Sequence, residues 1–197
     1  MPIIEPVTPS NRSLRDLPNG EKNAVEIPTG AASWHRFAFS YKATADRLAD
    51  TLERDAWRHG FALGAPMMFL YRHYVETHLK SLLVDAGELL DDPQDVPLEH
   101  YLVRLWGRVR ALLLRVSPQS DGPWFQRADA VIRELDSIDP TSFAFRYPVR
   151  KDGSDSLATA LMVDASNVRQ IMEELHILLD GASSQIAEYM QYKNQPY

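Results

Sequence analysis

Cysteine is absent from the 197-residue sequence. Disulfide bonds, zinc sites made of thiolates and a cysteine nucleophile are therefore excluded, and the absence fits a cytosolic protein. No apolar run reaches the roughly 18 residues that a membrane-spanning helix needs. The N-terminal sequence MPIIEPVTPSNRSL also lacks the charged and apolar regions of a secretory signal. We expect a cytoplasmic protein without a membrane segment.

Several motifs of catalytic sites are missing as well. The sequence contains no glycine-rich phosphate loop, no His-Glu-x-x-His pair and no nucleophile elbow. His73 and His78 are five residues apart, so on one helix they lie about 140° apart and cannot easily chelate one ion. The sequence therefore predicts neither a metal site nor a cofactor.

Basic residues are outnumbered, with 21 lysines and arginines against 27 acidic residues and a net charge of −6. A duplex-DNA-binding protein usually has a basic balance, so the overall charge does not favour nucleic acid as a partner. Hydrophobic residues make up 45% of the chain, which is enough for a core of ordinary size.

Residues 1–30 carry five of the 13 prolines and no helical pattern, which predicts an extended or disordered N-terminal arm.

Residues 31–197 form the predicted helical domain. Apolar residues recur there at steps of three and four, which is the spacing of one helix face. The predicted helices are approximately 33–56, 66–86, 98–116, 123–138 and 164–190. Gly60 and Gly64 flank a predicted break, and Pro66 suits the first turn of a new helix. Short connections favour antiparallel neighbours, so we expect an all-α bundle of four or five helices.

Caps and turns complete the predicted domain. Ser120 or Asp121 can cap the fourth helix and Asp164 the fifth, which Gly181 would interrupt. The residues 139–163 contain Lys151-Asp152-Gly153, a turn signal next to residues that favour strands. We expect a loop or a short hairpin there.

The sequence Arg72-His73-Tyr74-Val75-Glu76-Thr77-His78 carries the strongest functional signal. It resembles the signature of the HEPN superfamily, an arginine followed by a polar residue and, a few positions later, a histidine. The likeness in fold covers roughly residues 33–190. It implies a homodimer in which the arginine and histidine of two chains meet and cleave RNA without a metal.

That resemblance assigns roles to individual residues. Arg72 would bind the scissile phosphate, His78 would act as general acid and base, and His73 would assist. RNA would be the substrate, and a toxin or phage-defence setting would add an antitoxin or another protein partner.

A non-catalytic interpretation of the same residues stays open. Arg72 and Glu76 are four apart, so they can pair with each other on one side of a helix. His78 falls on the apolar face with Val75 and Leu82, where a histidine is more often a hydrogen-bonded core residue than a catalyst. The chain would then be a helical module that dimerises or binds a protein partner.

Two further groups are candidates for substrate binding. Arg104 and Arg108, continued by Arg115, form a stripe that would follow a nucleic-acid backbone, or would be a solvated face paired with the acidic loop 88–95. Arg146 and Tyr147 would stack on a base, or would hold a loop on the bundle. The four tryptophans are predicted as core or interface anchors.

Overall fold

The computed structural model of the protein describes residues 25–118 and 122–195. The chain is an all-α bundle, as predicted, and a short 3-10 helix (Ala31–Ser33) precedes its α-helices. The α-helices are α1 (Trp34–Leu89), α2 (Leu102–Val116), α3 (Pro123–Ile138) and α4 (Ala165–Lys193). Most of the predicted N-terminal arm, residues 1–24, lies outside the described residues.

The helix α1 replaces the first two predicted helices. Its 56 residues leave helical geometry at Asp55, where φ is −158° and ψ is 66°. The Asp55 carboxylate accepts a hydrogen bond from the backbone N–H of Arg58 at 3.1 Å, as an N-cap residue does for the turn that follows it. The break predicted between Gly60 and Gly64 therefore lies at Asp55 instead, and Pro66 lies inside the helix.

The other helices agree closely with the predicted ranges. α2 begins at Leu102 rather than at residue 98, and the Leu102 N–H donates to the Asp136 carboxylate at 2.6 Å. α4 begins after Asp164, whose carboxylate accepts from the Asn167 N–H at 2.9 Å, and it continues through Gly181 without interruption. The predicted caps Ser120 and Asp121 of α3 lie outside the described residues.

The second half of α1 is the central element of the bundle. The helix α1 packs against α2 and α4, and α3 packs against both α2 and α4 and so closes the bundle. Between residues 71 and 83 its side chains are buried on nearly every side, including those of Arg72, Glu76 and Lys80. The core therefore encloses the motif that the sequence singled out.

The connection 139–163 is a loop with one short antiparallel bridge, Val149 to Asp155. The Arg150 N–H donates to the Ser154 carbonyl at 2.8 Å and closes this turn. The loop alternative predicted for this segment is thus closer to the structure than a true hairpin. Within the described ranges, no helix combines the length and the apolar character needed to cross a membrane.

Candidate functional site

Arg72 lies in the centre of the bundle, and its side chain is 0% exposed. Its Nη1 donates to Glu76 Oε2 at 2.9 Å, which confirms the predicted pairing along the helix. Its Nε donates to the Asp139 carbonyl at 2.7 Å, and its Nη2 donates to the carbonyls of His100 at 2.5 Å and Pro140 at 3.3 Å. Arg72 thus connects α1 to the end of α3 and to the segment that precedes α2.

Glu76 continues this network from the neighbouring turn of α1. Its second oxygen accepts from Lys80 Nζ at 2.8 Å and lies 2.8 Å from His100 Nδ1. Burial alone raises the pKa of Glu76, but the hydrogen bonds from Lys80 and His100 outweigh it, so the pKa lies below its usual value. The carboxylate is therefore charged and balances Arg72 and Lys80.

Asp139 ends α3 and is fully buried beside the Arg72 guanidinium. Its Oδ1 accepts from the backbone N–H groups of Phe143 at 2.7 Å and Ala144 at 2.9 Å. Its Oδ2 lies 3.9 Å from Arg72 Nε. The side chain of Asp139 thus fixes the start of the 139–163 loop, and its backbone carbonyl accepts the hydrogen bond from Arg72.

His78 lies on a different side of α1 and is also buried, with 2% exposure. Its Nε2 is 3.0 Å from Ser183 Oγ of α4, and its Nδ1 is 3.3 Å from the Tyr74 hydroxyl. The rings of His35 and His176 flank it at centroid distances of 5.7 and 6.4 Å. Burial lowers the pKa of His78 to about 3, so the imidazole is neutral at physiological pH.

The structure does not bring the predicted catalytic residues together within one chain. Arg72 contacts the segment before α2 and the residue that follows α3, whereas His78 contacts α4. His73 packs its ring against Tyr41 at 4.5 Å and against Phe69 at 5.4 Å. Burial lowers the pKa of His73 as well. Their catalytic roles remain predictions, and each side chain has a structural environment of its own.

The arginine stripe of α2 is exposed and faces the segment before the helix. Arg104 pairs with Glu99 at 3.1 Å, and Arg108 donates to the Asp95 carbonyl at 2.9 Å. Arg115 pairs with Asp92 at 2.5 Å. These contacts agree with the alternative of a solvated helix face next to acidic residues.

Arg146 holds the 139–163 loop on the bundle, and Tyr147 packs within the loop. Arg146 Nε donates to the Ser142 carbonyl at 2.5 Å, and its guanidinium lies 5.8 Å from the Phe69 ring of α1. The Tyr147 ring lies 4.7 Å from that of Phe143. The geometry is that of a loop fastened by aromatic contacts, the second alternative for these residues.

The sequence did not predict an apolar groove of about 1110 Å³ between α1 and the residues 145–166. Six of the residues that line it are Leu52, Gly60, Gly64, Met67, Met68 and Phe145. Trp57 is 95% exposed beside it, Phe61 is fully exposed, and Met162 is 90% exposed. Because a helix break was predicted at Gly60 and Gly64, the sequence analysis did not consider this stretch as one helix face. The four-residue spacing of Trp57 and Phe61 would have indicated that the two side chains lie on the same face.

Comparisons with known proteins add no assignment. No model of a known protein family, no curated protein and no solved structure matches the chain.

Proposed function

We propose that the protein is a non-catalytic helical module that binds the surface of another protein molecule. The burial of Arg72 and His78 supports this proposal more than any other observation, because both side chains already use their polar groups within the fold. In this proposal the likeness to HEPN concerns the helical bundle and does not extend to RNA cleavage.

The chemistry of RNA cleavage argues in the same direction. An arginine that stabilises a phosphate must present free N–H groups to it, whereas the Arg72 donors are bound to Glu76 and to backbone carbonyls. A general acid and base works best with a pKa near the operating pH, and the pKa of His78 is about 3. A phosphate would have to open the core before reaching either residue.

The surface at Trp57 and Phe61 supplies the positive support for protein binding. Large aromatic side chains that are left in water beside an apolar groove are typical of interaction sites. Aromatic residues also dominate the binding energy of protein interfaces. This surface combines both features, so association is the activity that it favours.

An RNA-cleavage assay in EDTA tests the proposal with wild-type protein, Arg72→Lys and His78→Gln. Arg133→Ala, at an exposed arginine outside all the candidate residues, is the matched control. We expect no cleavage above background from any of the four proteins. Cleavage by the wild type that His78→Gln abolishes, with circular dichroism and the denaturation midpoint unchanged, would overturn the proposal.

A further inference from the structure

The apolar groove has buried side chains at its base and small residues on its α1 wall. Leu52, Met67 and Phe145 are buried members of the core that also line the groove. Gly60 and Gly64 lie one helical turn apart, and a Cβ atom built on either would meet nothing within 4 Å. The groove is therefore open to a large side chain from outside.

An aromatic projection, formed by Trp57 and Phe61, lies at the edge of the same groove. The two residues are four apart and hence on one face of α1, within the two turns that follow Asp55. Trp57 is 95% exposed, and Phe61 is fully exposed although it also lines the groove. A projection and a hollow of the same apolar character thus adjoin each other on one surface.

We propose that a second copy of this chain covers this surface, in a two-fold dimer where the aromatic projection of each protomer enters the apolar groove of the other. A surface that carries both a projection and a matching hollow can pair with itself about a two-fold axis, so that each contact is made twice. The inference rests on the proposed function, since it names the partner of the binding module. It places the dimer interface away from Arg72 and His78.

The area available at this surface suits a stable dimer. A tryptophan or phenylalanine side chain buries roughly 150–250 Å², so Trp57 and Phe61 together supply about half of the roughly 800 Å² per partner that a stable interface needs. Met162, on the opposite rim, is 90% exposed and adds to this area.

The charges around the aromatic projection favour a copy of the same chain over a nucleic acid. Residues 53–58 of α1, which surround Trp57 in the sequence, include two acidic and two basic residues, Glu53, Asp55, Arg54 and Arg58. A surface of mixed sign does not repel its own copy, whereas a polyanion needs a basic surface. A salt bridge within the chain already neutralises one of the acidic residues, since Arg169 Nε lies 2.8 Å from Glu53 Oε1.

Sedimentation equilibrium of the full chain over a range of concentrations tests the dimer, since one protomer has a mass of 22.4 kDa. We expect the wild type to reach twice this mass. The double variant Trp57→Ser/Phe61→Ser should weaken dimerisation at least about 100-fold. Phe39→Ser, at an exposed phenylalanine on the first half of α1, is the matched control and should dimerise like the wild type.

A mixing experiment tests the reciprocal geometry. Gly64→Leu places a side chain in the groove and blocks it but keeps the aromatic projection, whereas Trp57→Ser/Phe61→Ser removes the projection and leaves the rest of the groove lining in place. Neither variant can form a projection-to-groove contact with itself, while a mixed dimer regains one of the two. We expect the mixture to dimerise more strongly than either variant alone and more weakly than the wild type.

The possible results separate this inference from the proposed function. A wild type that stays at 22.4 kDa, as it would if another protein or an apolar ligand occupied the groove, overturns the dimer. A dimer that persists in Trp57→Ser/Phe61→Ser, or a mixture no stronger than its components, overturns this interface. RNA cleavage that depends on His78 overturns the proposed function whatever the sedimentation result.

Discussion

The Arg72 guanidinium and the Glu76 carboxylate form an ion pair of 2.9 Å inside the bundle, where neither side chain is more than 2% exposed. Such a pair is held at the cost of removing two charges from water, and its loss leaves uncompensated charge in the core. The Glu76 carboxylate is shared with Lys80 and His100, so the pair belongs to a small network. The polar residues of the motif therefore contribute to the stability of the fold.

Arg72→Ala should lower the free energy of unfolding by about 3–5 kcal/mol, because it breaks a buried ion pair. The carbonyls of Asp139 and His100 would lose their donor in the same change. Urea denaturation monitored by circular dichroism measures the loss. Arg104→Ala, at an exposed arginine, should stay within about 0.5 kcal/mol of the wild type. A loss below about 1 kcal/mol for Arg72→Ala would contradict the structural role.

The stability of the protein should decrease in acid because of His78. The pKa of this residue is 6.5 when unfolded and about 3 in the fold, so the unfolded chain takes up the proton first. The stability that the neutral His78 provides is complete above pH 6.5, and it is lost progressively as the pH falls from 6.5 toward 3. The expected loss from this one group is at most about 1.4 kcal/mol per pH unit.

His78→Gln is the control for this pH dependence, since glutamine cannot titrate and the other acid-sensitive groups are unchanged. Urea denaturation at several pH values gives the free energy of unfolding of both proteins. Below pH 6.5, the unfolded pKa of His78, the free energy of unfolding should fall more steeply for the wild type than for His78→Gln. Parallel declines would show that His78 does not supply the acid sensitivity.

Gly64→Ala and Gly87→Ala should have opposite effects, although both glycines lie in α1. Gly64 has free space around a Cβ atom, so alanine should stabilise the folded chain by roughly 0.5–1 kcal/mol through its helix propensity. At Gly87 the same atom would lie 2.8 Å from the Asp92 carbonyl oxygen and 2.9 Å from Gln94 Cγ. We expect a destabilisation of about 1–3 kcal/mol there. Thermal denaturation of the two variants shows whether their signs differ.

Asp164→Ala should remove the N-cap of α4. Its carboxylate accepts from the Asn167 N–H at 2.9 Å, and the loss of such a cap costs about 1 kcal/mol. Glu188→Ala, at an exposed acidic residue near the other end of the same helix, should have an effect within about 0.5 kcal/mol. Equal denaturation midpoints for the two variants would show that the cap does not contribute.

The sequence was sufficient to predict the helices whose signals are local. α3 and α4 begin where Pro123 and Asp164 indicate, because a helix start depends on the few residues around it. The break in α1 was predicted at the wrong position, because glycine and proline add a free-energy cost only at their own positions in a helix. Tertiary packing of the residues after Pro66 outweighs that amount and keeps the helix continuous.

The candidate site was predictable only within one helix. The spacing of Arg72 and Glu76 was enough to predict their pairing, which the structure confirms. The carbonyls of His100 and Asp139, which complete the Arg72 environment, are 28 and 67 residues away. Contacts at such separations depend on how the helices pack, which local patterns do not encode. The apolar groove was missed for the same reason, since α1 and the residues 145–166 form it together.

The position of Arg72 also affects how the chain can acquire its structure during synthesis. The guanidinium is satisfied only when Asp139 and Pro140 are present, and these residues are made long after α1. Until they leave the ribosome, Arg72 lacks two of its four hydrogen-bond acceptors, and we expect the middle of α1 to be incompletely enclosed. A nascent chain that ends before residue 139 should therefore expose apolar faces of α1 and α2, and a chaperone would act on it at this stage.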